Sequence, residues 1–129
     1  MILHTRPRPL PRLLLVLICL AGCATPVVVQ PEPETKSPEA AFQRGVAALT
    51  KGMYDQAIAS FTEVLARTPN DVEAYHNRGE AYRLKGDYDQ ALADYTQALT
   101  INPNYAKAYY ARGVAYSNKD EYDLSLIHI

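Results

Sequence analysis

Five side chains are reactive enough for covalent or metal chemistry: Cys19, Cys23, His4, His76 and His128. Both cysteines lie near the N-terminus, outside any regular pattern, so no disulfide framework staples a folded domain. Each histidine stands alone. His76 is the one that falls in regular sequence. It has the chemistry of a ligand or a general base, but no second His and no Cys accompanies it at the spacing a metal site needs. It is read instead as a side chain lining a surface. The ten tyrosines raise aromatic recognition, yet most recur at periodic positions where packing is their role. No catalytic or metal-ligating residue is assigned, no cofactor is expected, and the chain is not read as an enzyme.

The elements that carry these residues repeat. Gly45, Gly79 and Gly113 are 34 residues apart, as are Ala57 and Ala91, Phe61 and Tyr95, and Pro69 and Pro103. A fixed period of this length marks stacked units, each burying its apolar face on a neighbour. The pattern predicts helices over about residues 39–51, 54–67, 71–85, 88–101 and 105–119. Ser37-Pro38 is a start signal, with Ser as N-cap and Pro at the first helical position. Gly52 and Gly86 mark tight turns within each pair, where a left-handed residue closes a helix. Asn70 with Glu73, and Asp87 with Gln90, have capping-box spacing; Pro69 and Pro103 end the second helices. The expected core is Val46, Ala48, Leu49, Ile58, Phe61, Val64 and Leu65 in the first unit. In the second it is Tyr75, Tyr82, Leu84, Leu92, Tyr95, Ala98, Leu99 and Ile101. Gly45 with Ala57, and Gly79 with Ala91, are placed where two backbones cross closely.

The pattern resembles the tetratricopeptide repeat. The second unit supplies Tyr75, Arg78, Gly79, Tyr82, Ala91, Tyr95, Ala98 and Pro103 to its signature. The first supplies Ala41, Arg44, Gly45, Ala48, Ala57, Phe61, Val64 and Pro69, and the third Tyr109, Arg112, Gly113 and Tyr116. Arg replaces the usual Leu in all three. The resemblance covers about residues 37–123 and implies an all-α solenoid of helix-turn-helix units: residues 38–71, residues 72–105 and a partial third unit, residues 106–123. It also implies a concave groove, lined by the first helices, that takes a peptide or helix. Phe42, Val46, His76, Asn77, Glu80, Arg83, Lys107, Tyr110 and Val114 are its expected lining. One mode known in this family grips a terminal carboxylate; Asn77 and Lys107 occupy two of its positions, but Phe42, Val46 and Ala111 stand at the other three, so that clamp is incomplete.

The N-terminus reads as an address. Arg6, Arg8 and Arg12 precede an apolar run, residues 13–20, far short of the roughly 20 residues a span needs, which makes residues 1–22 a secretory signal. The run ends in Leu20-Ala21-Gly22-Cys23, which resembles the lipobox of bacterial lipoproteins. The resemblance implies that Cys23 receives the lipid and becomes the first mature residue. Ala24 in place of Asp points to the outer membrane, on its periplasmic side, if the source is Gram-negative. From Cys23, residues 24–37 form a Pro-rich tether. Pro26, Pro31 and Pro33 deny it helix, and at about 3.1 Å per residue it reaches on the order of 40 Å.

The period fails after Tyr122-Asp123. Residues 124–129 resemble the translation of a transposon end used in sequencing libraries and are expected to be non-native, with the third unit cut short. Its first helix would then leave Ala108, Ala115 and Tyr116 bare. Removing three arginines with the signal leaves ten basic residues against fourteen acidic ones, a charge of about -4, which argues against nucleic acid. The expected partners are a protein or peptide, and a membrane through the lipid, with no small-molecule substrate. The reading is an envelope-anchored interaction scaffold or adaptor; the alternative is the N-terminal repeat segment of a longer envelope enzyme.

Overall fold

A computed structural model describes residues 36–127. Within them are five helices and no strand: α1 (Pro38–Thr50), α2 (Tyr54–Arg67), α3 (Val72–Lys85), α4 (Tyr88–Ile101) and α5 (Ala106–Ile127). The signal, Cys23, most of the tether, His4 and His128 lie outside the described residues.

Local chemistry sets the boundaries. Ser37 Oγ accepts from the Ala40 amide at 3.1 Å, with Pro38 filling the first helical position. Gly52 and Gly86 adopt φ of 72° and 92°. At Gly86 the turn closes through Asp87 N–H to the Tyr82 carbonyl at 2.9 Å, so the last carbonyls of α3 are satisfied. The cap of α3 corrects the expectation: Asp71, not Asn70, accepts from Ala74 N–H at 3.0 Å. Asp87 caps α4 from its side chain, accepting from Gln90 N–H at 3.5 Å.

Each helix pair closes on a small-residue notch. Phe61 and Tyr95 are fully buried, and each ring lies over a glycine of the preceding helix. A Cβ built on Gly45 would stand 2.7 Å from the Phe61 ring, and one on Gly79 would stand 2.7 Å from Tyr95 and 3.2 Å from the Ala91 carbonyl oxygen. Each ring is worth roughly 2–3 kcal/mol of apolar burial. Between pairs, Ala74 and Ala81 of α3 bury toward the first unit, and Ala108 and Ala115 of α5 toward α4. The expectation that Ala108 and Ala115 are bare is therefore wrong. They face the preceding unit, whereas Tyr109, Gly113 and Tyr116 face where a following helix would lie. Leu84 is also misplaced by the pattern: it is 42 % exposed on the outer side of α3.

Polar contacts repeat with the same period. Lys85 Nζ meets Asp55 at 2.7 Å, and Lys119 Nζ meets Asp89 at 2.6 Å, each tying one unit to the next. Buried Asp94 accepts two bonds from Arg78, each 2.8 Å, and Arg78 also donates to Thr62 of the first unit at 3.1 Å. This fork holds the Arg78 guanidinium above its ordinary pKa.

The last helix runs further than expected, through Ile127 rather than to Lys119. Asp120 stands where Gly52 and Gly86 make their turns. A non-glycine residue resists the left-handed conformation by roughly 1–2 kcal/mol, and residues 124–127 do not repeat the Ala-Leu-Ala-Asp-Tyr run that gives α4 its buried face. Continuing the helix is the cheaper course.

Candidate functional site: the groove between α3 and α5

The first helices α1, α3 and α5 lie side by side, with α3 touching both neighbours, while α2 and α4 do not touch each other. The array is thus tighter on the first-helix side, and a groove opens there between α3 and α5. Its volume is about 360 Å³, and its lining is His76, Glu80, Arg83, Lys107, Tyr110, Ala111 and Val114. These residues converge because α3 carries its three at i, i+4 and i+7, and α5 its four at i, i+3, i+4 and i+7, each set on one face.

Glu80 organises one bank. Arg83 grips its carboxylate with Nε at 3.0 Å and with Nη2, and the Tyr95 hydroxyl donates to it at 3.0 Å from the core. The Arg83 bonds, followed by that of Tyr95, hold Glu80 below its ordinary pKa against the opposing effect of burial. Burial first, then the Glu80 charge, pushes the Tyr95 phenol well up, so it remains a neutral donor. His76 sits beside this network, its ring 5.8 Å from that of Tyr95 and 5.6 Å, edge to face, from that of Tyr105. Its Nδ1 is buried without a hydrogen-bond partner. Burial lowers its pKa, and Lys107 lowers it further, against the pull of Glu80 and Glu73. His76 is therefore a neutral wall of the groove.

The opposite bank is more open. Tyr110 is 78 % exposed. Lys107 makes no ion pair among the described residues. Because Arg83 is already held by Glu80, Lys107 is the uncompensated charge of the lining. Ala111 and Val114 supply an apolar floor beside it. The surface offers one cation, one aromatic face and a small apolar patch, suited to holding a segment of chain.

Not every expected residue joins this groove. Phe42 packs edge to face on Phe61 at 5.5 Å and lines a separate hollow near Pro38 and Asp71. Val46 packs partly buried among Ala48, Ala57, Phe61 and Ala81. Asn77 is half-buried and does not line the groove. The role of Tyr95 as a donor beneath the site went unread, since its periodic position marked it only as core; so did the burial of Asp94, whose one signal is its placement a turn from Arg78 across the pair.

Family models described as tetratricopeptide repeat match residues 38–71, 72–105 and 94–126. The chain belongs to the tetratricopeptide-repeat family. Its fold is similar to that of solved repeat domains. The TPR2B domain of yeast Sti1 in complex with an Hsp70 peptide has 30 % identity and a TM-score of 0.63, over 69 % of this chain and 71 % of that one. The Arabidopsis OM64 TPR domain has 28 % identity and a TM-score of 0.62, over 67 % and 71 %. The first TPR of Spaghetti (RPAP3), bound to the HSP90 peptide SRMEEVD, has 26 % identity and a TM-score of 0.63, over 69 % and 72 %. No curated protein matched the sequence. This family assignment makes the chain a protein-interaction repeat domain.

Proposed function

We propose that this repeat protein is a scaffold of the bacterial cell envelope, anchored by lipid on Cys23, that holds an extended peptide or a helix of a partner in the α3–α5 groove. The observation that carries the binding reading is the convergence of Lys107, Tyr110, Ala111 and Val114 opposite the Glu80–Arg83–Tyr95 network. An acidic side chain next to an apolar one satisfies Lys107 and the Ala111–Val114 floor together. A terminal carboxylate is the less suitable ligand, because Phe42, Val46 and Ala111 replace three of the clamp positions. The envelope reading rests on the Leu20-Ala21-Gly22-Cys23 resemblance and on the Pro-rich tether, which gives the groove reach from a membrane surface.

One experiment addresses both halves. In a Gram-negative host, a photo-crosslinking amino acid at Tyr110 should capture a discrete partner from the membrane fraction. Lys107→Glu should remove that capture without changing helix content, and Cys23→Ser should move the protein out of the membrane fraction. Capture that persists with Lys107→Glu would place binding elsewhere. Fatty-acid labelling that survives Cys23→Ser would end the lipoprotein reading.

A further inference from the structure

The polar groups of the α3–α5 groove differ in what they have left to offer. Glu80 accepts from Arg83 Nε, from Arg83 Nη2 and from the Tyr95 hydroxyl, so its oxygens are occupied and its charge is met. Arg83 is spent on the same contact. Two donors remain, one on each bank. Lys107 Nζ has no acid among the described residues. His76 is the other. Its Nδ1 is sealed without a partner, while Nε2 is not sealed and makes no hydrogen bond among the described residues. A buried nitrogen tolerates a bare lone pair better than a bare N–H. The proton of the neutral ring is therefore assigned to Nε2, the nitrogen that can reach an acceptor in the groove. A second proton would have to sit on Nδ1 and leave a buried donor unmet. Burial, and then Lys107 from α5, oppose the charged ring; Glu80 and Glu73 of its own helix favour it, and Tyr95 of α4 and Tyr105 before α5 meet it only through their rings. His76 thus donates without carrying a charge.

We propose that His76 and Lys107 are the specificity-determining pair of this groove: together they grip the carboxylate of one aspartate or glutamate within the partner's chain, His76 as a neutral donor and Lys107 as the single charge, and they refuse a phosphorylated residue at that place. This pairing rests on the reading of the groove as the peptide-binding surface, and adds to it what the peptide must carry. A side-chain carboxylate brings one negative charge and two acceptor oxygens; the pair offers one positive charge and donors from two sides. A phosphate brings about two negative charges. The second would stand unpaired in a lining that already holds Glu80, with Glu73 close to the ring. A side-chain amide leaves the ammonium without a counter-charge. A terminal carboxylate shares the chemistry, but Phe42, Val46 and Ala111 stand where a chain end would need polar neighbours. Ala111 and Val114 lie on the same bank as Lys107, so the residue beside the acid is apolar.

The test presents the full chain, in detergent, to an array of short peptides capped at both ends, in which a central Asp, Glu, Asn or phosphoserine lies between leucines. A further set ends in an uncapped carboxylate. Fluorescence anisotropy then gives the affinities. Asp and Glu peptides should bind roughly tenfold tighter than the Asn peptide, the scale of one hydrogen bond to a charged group, and phosphoserine no tighter than Asn. Lys107→Met should abolish the preference for acid over Asn. His76→Phe should weaken the Asp peptide several-fold, and His76→Gln, which keeps an N–H donor and takes no proton, should restore it. Affinity for the Asp peptide should hold steady from pH 6.5, the ordinary histidine value, to pH 8. Helix content and the urea midpoint report whether each variant stays folded. Phosphoserine held as tightly as Asp, a preference for the uncapped carboxylate, affinity that falls across that pH range, or no rescue by a folded His76→Gln would each overturn the proposal. Peptides held without regard to the central residue would overturn it too, while leaving the groove as the binding surface. If no peptide is held, the groove reading falls first and this pairing falls with it.

Discussion

The second and third units carry the same residues on the same face of their first helix, yet those residues live in different surroundings. Arg78 is forked onto a buried carboxylate, whereas Arg112 rests on a tyrosine ring. Gly79 is a notch filled by Tyr95, and Gly113 is an empty one. Tyr82 packs against a core cluster, while Tyr116 is 52 % exposed. The residues differ in what covers them and not in their identity. In a solenoid, burial is a property of the neighbour, because stability is the sum of each unit and its interfaces. A periodic sequence therefore announces a covered face at every repeat, and only the next helix decides whether it is covered.

Identical substitutions at paired positions make this comparison breakable. The largest difference should come from the arginines. Arg78→Met strands Asp94, whose side chain is 8 % exposed, without its cation. Breaking such a pair costs about 3 kcal/mol, a large share of the stability of a domain this small. Arg112→Met removes only a ring contact and should change stability by less than about 0.5 kcal/mol. Urea unfolding of both variants measures the gap. Equal losses would mean that Arg112 is as well paired as Arg78, and the contrast between the units would be gone.

The glycines should differ in sign. Gly79→Ala pushes a methyl against a buried ring and a backbone carbonyl, neither of which can swing away, for a cost of roughly 1–3 kcal/mol. Gly113→Ala meets nothing, and α5 should gain up to about 1 kcal/mol from the better helix former. Thermal melts followed at the helix signal would show one midpoint falling and the other holding or rising. A fall in both would put a packing partner on Gly113.

These contrasts mark what the sequence could and could not disclose. The limits of α2 and α4 were legible to the residue, because a left-handed glycine or an aspartate starts each and a proline follows each. The start of α3 was off by one. Asn70 and Asp71 are both good caps, and the choice between them depends on the backbone path out of α2, which no pattern encodes. The end of α5 was misjudged because repetition up to Asp123 implied a turn that Asp120 does not make. In the groove, the structure brings His76, Glu80, Arg83, Lys107, Tyr110 and Val114 to one lining, the side of the helices their register assigns them. Register failed at Phe42 and Val46, which share those repeat positions but are drawn into packing around Phe61. Register fixes a direction, while the size of the neighbours fixes how far the surface closes over it.

The smallest expected effect concerns pH, and it sharpens the comparison between the two banks of the groove. Burial holds His76 below its ordinary pKa of 6.5, so between that value and its folded pKa the unfolded chain binds a proton that the folded chain refuses. Stability then rises with pH through this window: the contribution is full above about 6.5 and is lost as pH falls through the folded value. Glu80 and Glu73 draw the pKa back up, while Lys107 from the opposite bank pushes it down, and burial decides the direction. Glu80 itself, held low by Arg83 and Tyr95, contributes stability that is lost only further down, below its own ordinary value of 4.5. Between pH 7 and 5 the slope therefore reports His76 among these groove residues. Lys107→Met should flatten it by removing the cation that opposes protonation, and His76→Phe should flatten it more. Chemical denaturation at several pH values measures both variants. A wild-type slope of the opposite sign would mean that Glu80 and Glu73 outweigh burial and that His76 is the groove's second cation.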